Sequence, residues 1–342
     1  MTPKEAGCDC ANCPYSVKGE AREWVGPSGP SRPLGVVFCD LPTFEDARKG
    51  EPMVSGSQVG REWEQTLAQA GLAREKLLHV PAMACRRPHG SKDRDVKKAI
   101  AACAPMRAAG RALADGGTPT LVLGQFAWQA LKGTDKGHAD ARGFYERNIV
   151  TTFRPELAYF WAPHEWAAFD IDVQRFGRLI RGELAPMPTT RIRATLADLT
   201  AVRERALREG YVCYDIETLP ETWEEPWTGK DPTRAKLRTL SFGWPDVGYS
   251  FFWNDVGPET QKMARLILGD TRYDKVGINV IWFDNRVLER YGIEVCRFED
   301  CRDLRRALSS TSRLSLGYLA TLYTDAEAWK SAQDDEAEDD SK

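Results

Sequence analysis

Long apolar runs are missing from this chain: none of its 342 residues sits in a stretch approaching the roughly 18 consecutive apolar residues of a membrane-crossing helix. Its first eleven residues are polar and rich in cysteine, without the apolar core of a secretory leader. A surplus of one charge is also missing, since 47 Lys and Arg stand against 50 Asp and Glu, a net charge of −3. That excludes a strongly basic nucleic-acid-coating protein, though local basic patches can still meet phosphates. No internal repeat is present. What is there is ordinary for a folded protein: 42% apolar and 28% charged residues, which excludes a mostly disordered chain. Nine cysteines, an odd number in a long chain without a leader, do not make a disulfide framework. The expectation is a cytoplasmic protein with no membrane contact.

The length predicts two domains. From residue 34 to 181, short apolar runs alternate with helical stretches. Strands are expected at 34–38 (LGVVF), 77–80, 120–123 and 148–153, and helices at 60–70, 95–102, 106–115, 126–131 and 166–180. Pro105 should separate the two middle helices. Such alternation predicts a parallel sheet covered on both faces. Two prolines and a glycine within 181–190 mark a linker. A second α/β unit follows, with strands at 211–216, 238–242, 249–253 and 275–279 and helices at 198–210, 260–268, 285–291 and 304–308. The expected organisation is a first domain at 1–182, a linker at 183–194, a second domain at 195–330, and a disordered acidic tail at 331–342.

Three cysteines crowd into residues 8–13, which points to metal or cluster ligation. Cys10-x2-Cys13-Pro14, Cys85-Arg86-Arg87-Pro88 and Cys103-Ala104-Pro105 together resemble the four-cysteine set of family 4 uracil-DNA glycosylases. The order of further motifs agrees: Asp40-Leu41-Pro42-Thr43-Phe44-Glu45-Asp46, Gly50-Glu51-Pro52-Met53-Val54, Leu123-Gly124-Gln125-x-Ala127 and Thr152-Phe153-Arg154-Pro155. The resemblance implies a parallel-sheet sandwich and a [4Fe–4S] cluster held by Cys10, Cys13, Cys85 and Cys103. A zinc site on the same thiolates is the alternative, and Cys8 rivals Cys10. Cys39, Cys213, Cys296 and Cys301 are expected to be small buried apolar residues. In the family a carboxylate activates water, a histidine stabilises the leaving uracil, an aromatic residue stacks on the base and an asparagine reads it. Those positions fall here on Asp40, Arg154, Met53 and Pro81, with Pro42 beside the base. Proline offers no side-chain hydrogen bond. Uracil excision is therefore expected to be weak or lost.

In the second unit, Asp215 and Glu217 lie two apart on one strand and share a face. Paired carboxylates at a strand end can hold divalent metals that activate water and stabilise a leaving oxygen. Residues 277–284 (GINVIWFD) supply Asp284 and resemble the Asn-x-x-Phe-Asp motif of 3′–5′ exonucleases with the ribonuclease H-like fold, with one residue more. Glu299-Asp300-Cys301-Arg302-Asp303 and Ser315-Leu316-Gly317-Tyr318-Leu319-Ala320 are similar to later segments of the proofreading domains of family A DNA polymerases. Tyr323-Thr324-Asp325 and Trp329-Lys330 extend the likeness to bacteriophage proteins that fuse the two domains. This resemblance implies Mg²⁺ or Mn²⁺ on Asp215, Glu217 and Asp284, with Asn279 against the substrate. The family's Tyr-x-x-x-Asp motif should follow Trp329-Lys330, where only Asp334, Asp335, Asp339 and Asp340 are offered.

The function expected is a proofreading-type, metal-dependent 3′–5′ DNA exonuclease of replication or repair, joined to a glycosylase-like DNA-binding domain. Its partners would be a single-stranded or primer 3′ end and a separately encoded DNA polymerase, in a host cytoplasm if a phage encodes it. The alternatives are a non-catalytic accessory subunit of a polymerase, and an active uracil-DNA glycosylase.

Overall fold

In the computed structural model the described residues are 2–16, 23–134, 138–143, 145–186, 188–308 and 315–325. The chain is a mixed α/β protein, and the contacts of its described residues divide it into two units, one within 1–185 with 317–325 and one within 186–316.

The first unit holds β1 (Gly35–Cys39), α1 (Phe44–Lys49), α2 (Gln58–Gln69), β2 (Leu77–Pro81), α3 (Asp93–Ala102), α4 (Ala104–Asp115), β3 (Thr120–Leu123), α5 (Gln125–Lys132), α6 (His138–Ala141), β4 (Tyr145–Glu146), β5 (Ile149–Thr152) and α7 (Trp166–Arg181). Strand order is β2-β1-β3-β5-β4; the first four are parallel and β4 turns back antiparallel on β5. All five residues of β1 are buried, as a strand covered on both faces requires. Gly35 is needed there: a Cβ would stand 2.7 Å from the Phe176 ring of α7. A capping box between Thr43 and Asp46 starts α1 just past β1. α3 and α4 meet at Cys103, with Pro105 in the first turn of α4, where its missing N–H costs nothing.

The second unit holds β6 (Thr189–Ile192), α8 (Leu196–Glu209), β7 (Tyr211–Leu219), β8 (Lys236–Trp244), β9 (Val247–Phe252), α9 (Pro258–Gly269), β10 (Asp274–Gly277), α10 (Asn285–Arg290), β11 (Phe298–Asp300) and α11 (Cys301–Leu308). Its six-stranded mixed sheet runs β11-β10-β7-β8-β9-β6. The long β7–β8–β9 meander is antiparallel, and β10 and β11 add in parallel beside β7. Val212, Tyr214 and Ile216 face the core, so Cys213, Asp215 and Glu217 share the other face.

The boundaries differ from the sequence reading at two points. Residues 189–192 lie in the expected linker, yet they pair with β9 as an edge strand. Residues 317–325 belong with the first unit, where α12 (Leu316–Tyr323) continues it, and not with the second. Arg175 holds that segment, donating to the carbonyls of Thr321 (2.5 Å) and Thr324 (2.6 Å). The acidic tail, Trp329-Lys330, Asp334, Asp335, Asp339 and Asp340 lie outside the described residues.

Candidate carboxylate and thiol sites

In the second unit, strand alternation brings Asp215 and Glu217 out together on β7, and a register shift follows directly after Glu217. Asp284 comes from the other side, at the end of a π-helical turn (Val280–Asp284) that runs into α10. The turn is closed by the Asn285 N–H on the Val280 carbonyl. Such a turn holds one residue more than an α-helical turn and is frequent at functional sites.

Asp284 is buried, 6% exposed, and its Oδ2 has no hydrogen-bond partner. Burial, then the charges of Asp215, Asp300 and Glu217, push its carboxyl up to about 8. Asp215 faces solvent along the strand but is hemmed in by protein, and with Glu217 alongside it is pushed up to about 6. Burial raises both proton affinities first and the neighbouring carboxylates add to it, the pattern of a candidate functional site. All three expected residues therefore lie in one neighbourhood. Among the described residues, no three His, Cys, Asp or Glu side chains already stand at metal-holding distances. Asn279 is nearby, with its side-chain oxygen engaged by the Arg302 guanidinium. Asp300, at the end of β11, is a fourth carboxylate; the sequence placed it in the 299–303 segment similar to proofreading domains but gave it no role.

In the first unit, Asp40 follows β1, Gly124 follows β3 and Arg154 follows β5, so the three gather at the carboxyl ends of parallel strands, where ligands of such sheets bind. The approach is close: a Cβ on Gly124 would stand 2.3 Å from Asp40 Oδ2 and 3.1 Å from Arg154 Cβ. Burial pushes Asp40 up to about 7, against the opposing pull of Arg154. Arg154 stacks on the exposed Trp161 ring at 4.2 Å. Asp40, Pro42, Met53, Pro81, Pro155 and Glu156 line one cavity. The cavity has room for roughly one water molecule and none for a pyrimidine ring.

The thiols gather as well. Cys8, Cys10, Cys85 and Cys103 share one buried cluster, with Cys13 packed against it. Asp9 N–H donates to the Ala102 carbonyl at 3.0 Å and so ties the N-terminal loop to the residue before Cys103. Burial and neighbouring thiols push Cys85 up to about 12. Arg107, itself buried, braces the site by donating to the carbonyls of Ala82 (2.6 Å) and Ile100 (2.9 Å).

No family model matches this chain, and no curated protein matches it. Among solved structures, it is similar to Trypanosoma brucei RNase D complexed with RNA U12, at 16% identity over 43% of this chain and 51% of that one, TM-score 0.34. It is also similar to Escherichia coli RNase D, at 13% identity over 42% and 36% of the two chains, TM-score 0.32. A third is the Aedes aegypti Nibbler EXO domain, at 11% identity over 44% and 76%, TM-score 0.34. The chain spans about half or less of the length of the RNase D structures it is similar to.

Proposed function

We propose that the second unit is a divalent-metal-dependent nuclease that removes nucleotides from the 3′ end of DNA. The observation that carries this reading is the Asp284 carboxylate, buried with one oxygen unpartnered and crowded by Asp215 and Glu217. An uncompensated anion in that position is costly, and a cation relieves it. Three carboxylates form a hard oxygen set suited to Mg²⁺ or Mn²⁺. Asp215, Glu217 and Asp284 would hold the ion, which supplies an acidified water and charge stabilisation for the leaving oxygen. The chain's own part is to present Asp215 and Glu217 from a rigid strand and Asp284 from a fixed turn. Trp223, Trp227 and Trp282 are exposed in the same unit, and bases of a single strand stack on such rings.

The first unit, in this reading, is a DNA-binding body whose uracil excision is weak or lost and that holds a [4Fe–4S] cluster. Support for the loss of excision is the cavity around Asp40, too small for a base. Support for the cluster is the gathering of thiols, in which Cys10, Cys13, Cys85 and Cys103 would be ligands and Cys8 stands as a fifth. Zinc on the same thiolates is distinguished by iron and zinc analysis of anaerobically purified protein, with Cys85→Ser as control.

The deciding experiment incubates the full chain with 3′-labelled single-stranded DNA, and with RNA in parallel, with and without Mg²⁺ or Mn²⁺. Metal-dependent shortening from the labelled end, abolished by Asp215→Ala and by Asp284→Ala, is expected. Unchanged activity in both variants would refute the site. Binding without degradation, even with a DNA polymerase present, would favour an accessory subunit.

A further inference from the structure

The π-turn that carries Asp284 begins from a strained residue. Asn279 has φ 62° and ψ 19°, the left-handed region that residues other than glycine enter at a cost, asparagine more readily than most. Asp300 sits directly across from Gly277 in the β10–β11 register, at the foot of that kink. Its carboxylate accepts the backbone N–H groups of Asn279 at 3.0 Å, Arg302 at 2.9 Å and, more weakly, Ile281 at 3.4 Å. Arg302 closes the clasp by donating from its guanidinium to the Asn279 side-chain oxygen. There is no slack beneath: a Cβ on Gly277 would stand 2.3 Å from Val280 Cγ1 and 3.1 Å from the Tyr214 carbonyl. At the far end, Tyr214 O–H donates to Asn285 Oδ1 at 2.6 Å. The turn is thus pinned on both sides of Asp284.

We propose that Asp300 is the positioning residue of the carboxylate site, holding Asn279 left-handed so that the one-residue-longer turn delivers Asp284 beside Asp215 and Glu217. This rests on the metal-site reading above. Asp300 differs from Asp284 in how its oxygens are used: both of Asp300's accept backbone N–H groups, while Asp284 Oδ2 has no partner. The first arrangement is that of a brace, the second that of a ligand. Without the brace, Asn279 is free to leave the left-handed region, and the surplus residue then swings Asp284 away.

Two readouts on the full chain test this. The first is Mn²⁺ affinity, measured by paramagnetic resonance of free Mn²⁺ at a pH above 8. The second is amide hydrogen exchange over residues 279–285 without metal. Asp300→Ala should weaken Mn²⁺ binding by about tenfold or more, as loss of a supporting group does at metal sites, and should speed exchange across the turn. Asp300→Asn keeps an acceptor for the N–H groups and should bind Mn²⁺ close to wild type. Adding Asn279→Gly to Asp300→Ala should recover most of the affinity, because glycine takes the left-handed conformation unaided. Wild-type affinity and exchange in Asp300→Ala would overturn the proposal. So would Asp300→Asn binding as poorly as Asp300→Ala without glycine rescue, which would make Asp300 a ligand. If the wild type binds no Mn²⁺, the metal reading fails; unchanged exchange in Asp300→Ala then overturns the brace as well, and faster exchange, slowed again by glycine, upholds it.

Discussion

Trp63 donates its indole N–H to Nε2 of His79 at 3.0 Å, with both side chains buried. The bond requires a neutral imidazole. Burial, and then Arg74, hold His79 down at about 3. The folded state therefore binds this proton far less readily than the unfolded chain, so stability is complete above the unfolded value near 6.5 and is lost as pH falls below it. Relative to His79→Gln, which keeps an acceptor for Trp63, wild type should lose about 1.4 kcal/mol per pH unit between pH 6 and 5. Urea titrations at the two pH values check it; parallel slopes in both proteins would refute it.

The opposite sign is expected in the second unit. Asp284 is raised to about 8 and Asp215 to about 6, so the folded metal-free chain holds these protons more tightly than the unfolded one. Stability should then fall as pH rises from about 4 to about 8, and stay at its lower level above that. Asp284→Asn should flatten the upper part of this slope. Adding Mn²⁺ at pH 8 should raise the melting temperature of wild type and leave Asp284→Asn nearly unmoved. A wild-type profile identical to that of the variant would contradict the assignment.

The local elements were readable because their signals are local. β1 is a continuous buried run, and the alternation of Val212, Tyr214 and Ile216 against Asp215 and Glu217 fixes both a strand and the face of its carboxylates. β6 was not readable: all four of its residues are exposed, so it has no apolar rhythm, and its place is set only by pairing with β9. Asp300 stood in a segment of the resemblance but without a role, since that role depends on β11 lying beside β10. No element was expected where α12 lies: the resemblance placed 315–320 in the second domain, and nothing in it says which body buries the helix. That is decided by contacts with Arg142, Gly143 and Arg175, far away in sequence.

Excision of uracil should be undetectable or very slow, because Met53 and Pro81 help close the cavity beside Asp40 and neither reads a base edge. A uracil-containing single strand, assayed for free uracil over hours, is the check. Robust release that Asp40→Asn abolishes would show that the cavity opens, and would restore the glycosylase reading.

The return of the chain to the first unit rests on a buried network of charges. Asp172 is fully buried between Arg142, at 3.1 Å, and Arg175, at 3.3 Å, and also accepts from Thr152 at 2.7 Å. α12 completes this arrangement: Thr321 meets Arg142, Tyr318 stacks on Arg142 at 4.6 Å and donates to Glu165 at 2.9 Å, and Asp325 pairs with Arg175 and Arg178. The fit depends on Gly143, whose φ is +81° and where a Cβ would stand 2.5 Å from Thr321 Cβ. Gly143→Ala should therefore lift α12 and let water reach the buried charges, and Arg175→Met should leave Asp172 with one guanidinium in place of two. Removing one partner from a buried ion pair typically costs about 3–5 kcal/mol, so Arg175→Met should lower stability by an amount in that range. Gly143→Ala should also expose the 317–325 segment to limited proteolysis at protease levels that leave wild type intact. If both variants unfold at the wild-type urea midpoint and resist cleavage there, α12 is not held by this network.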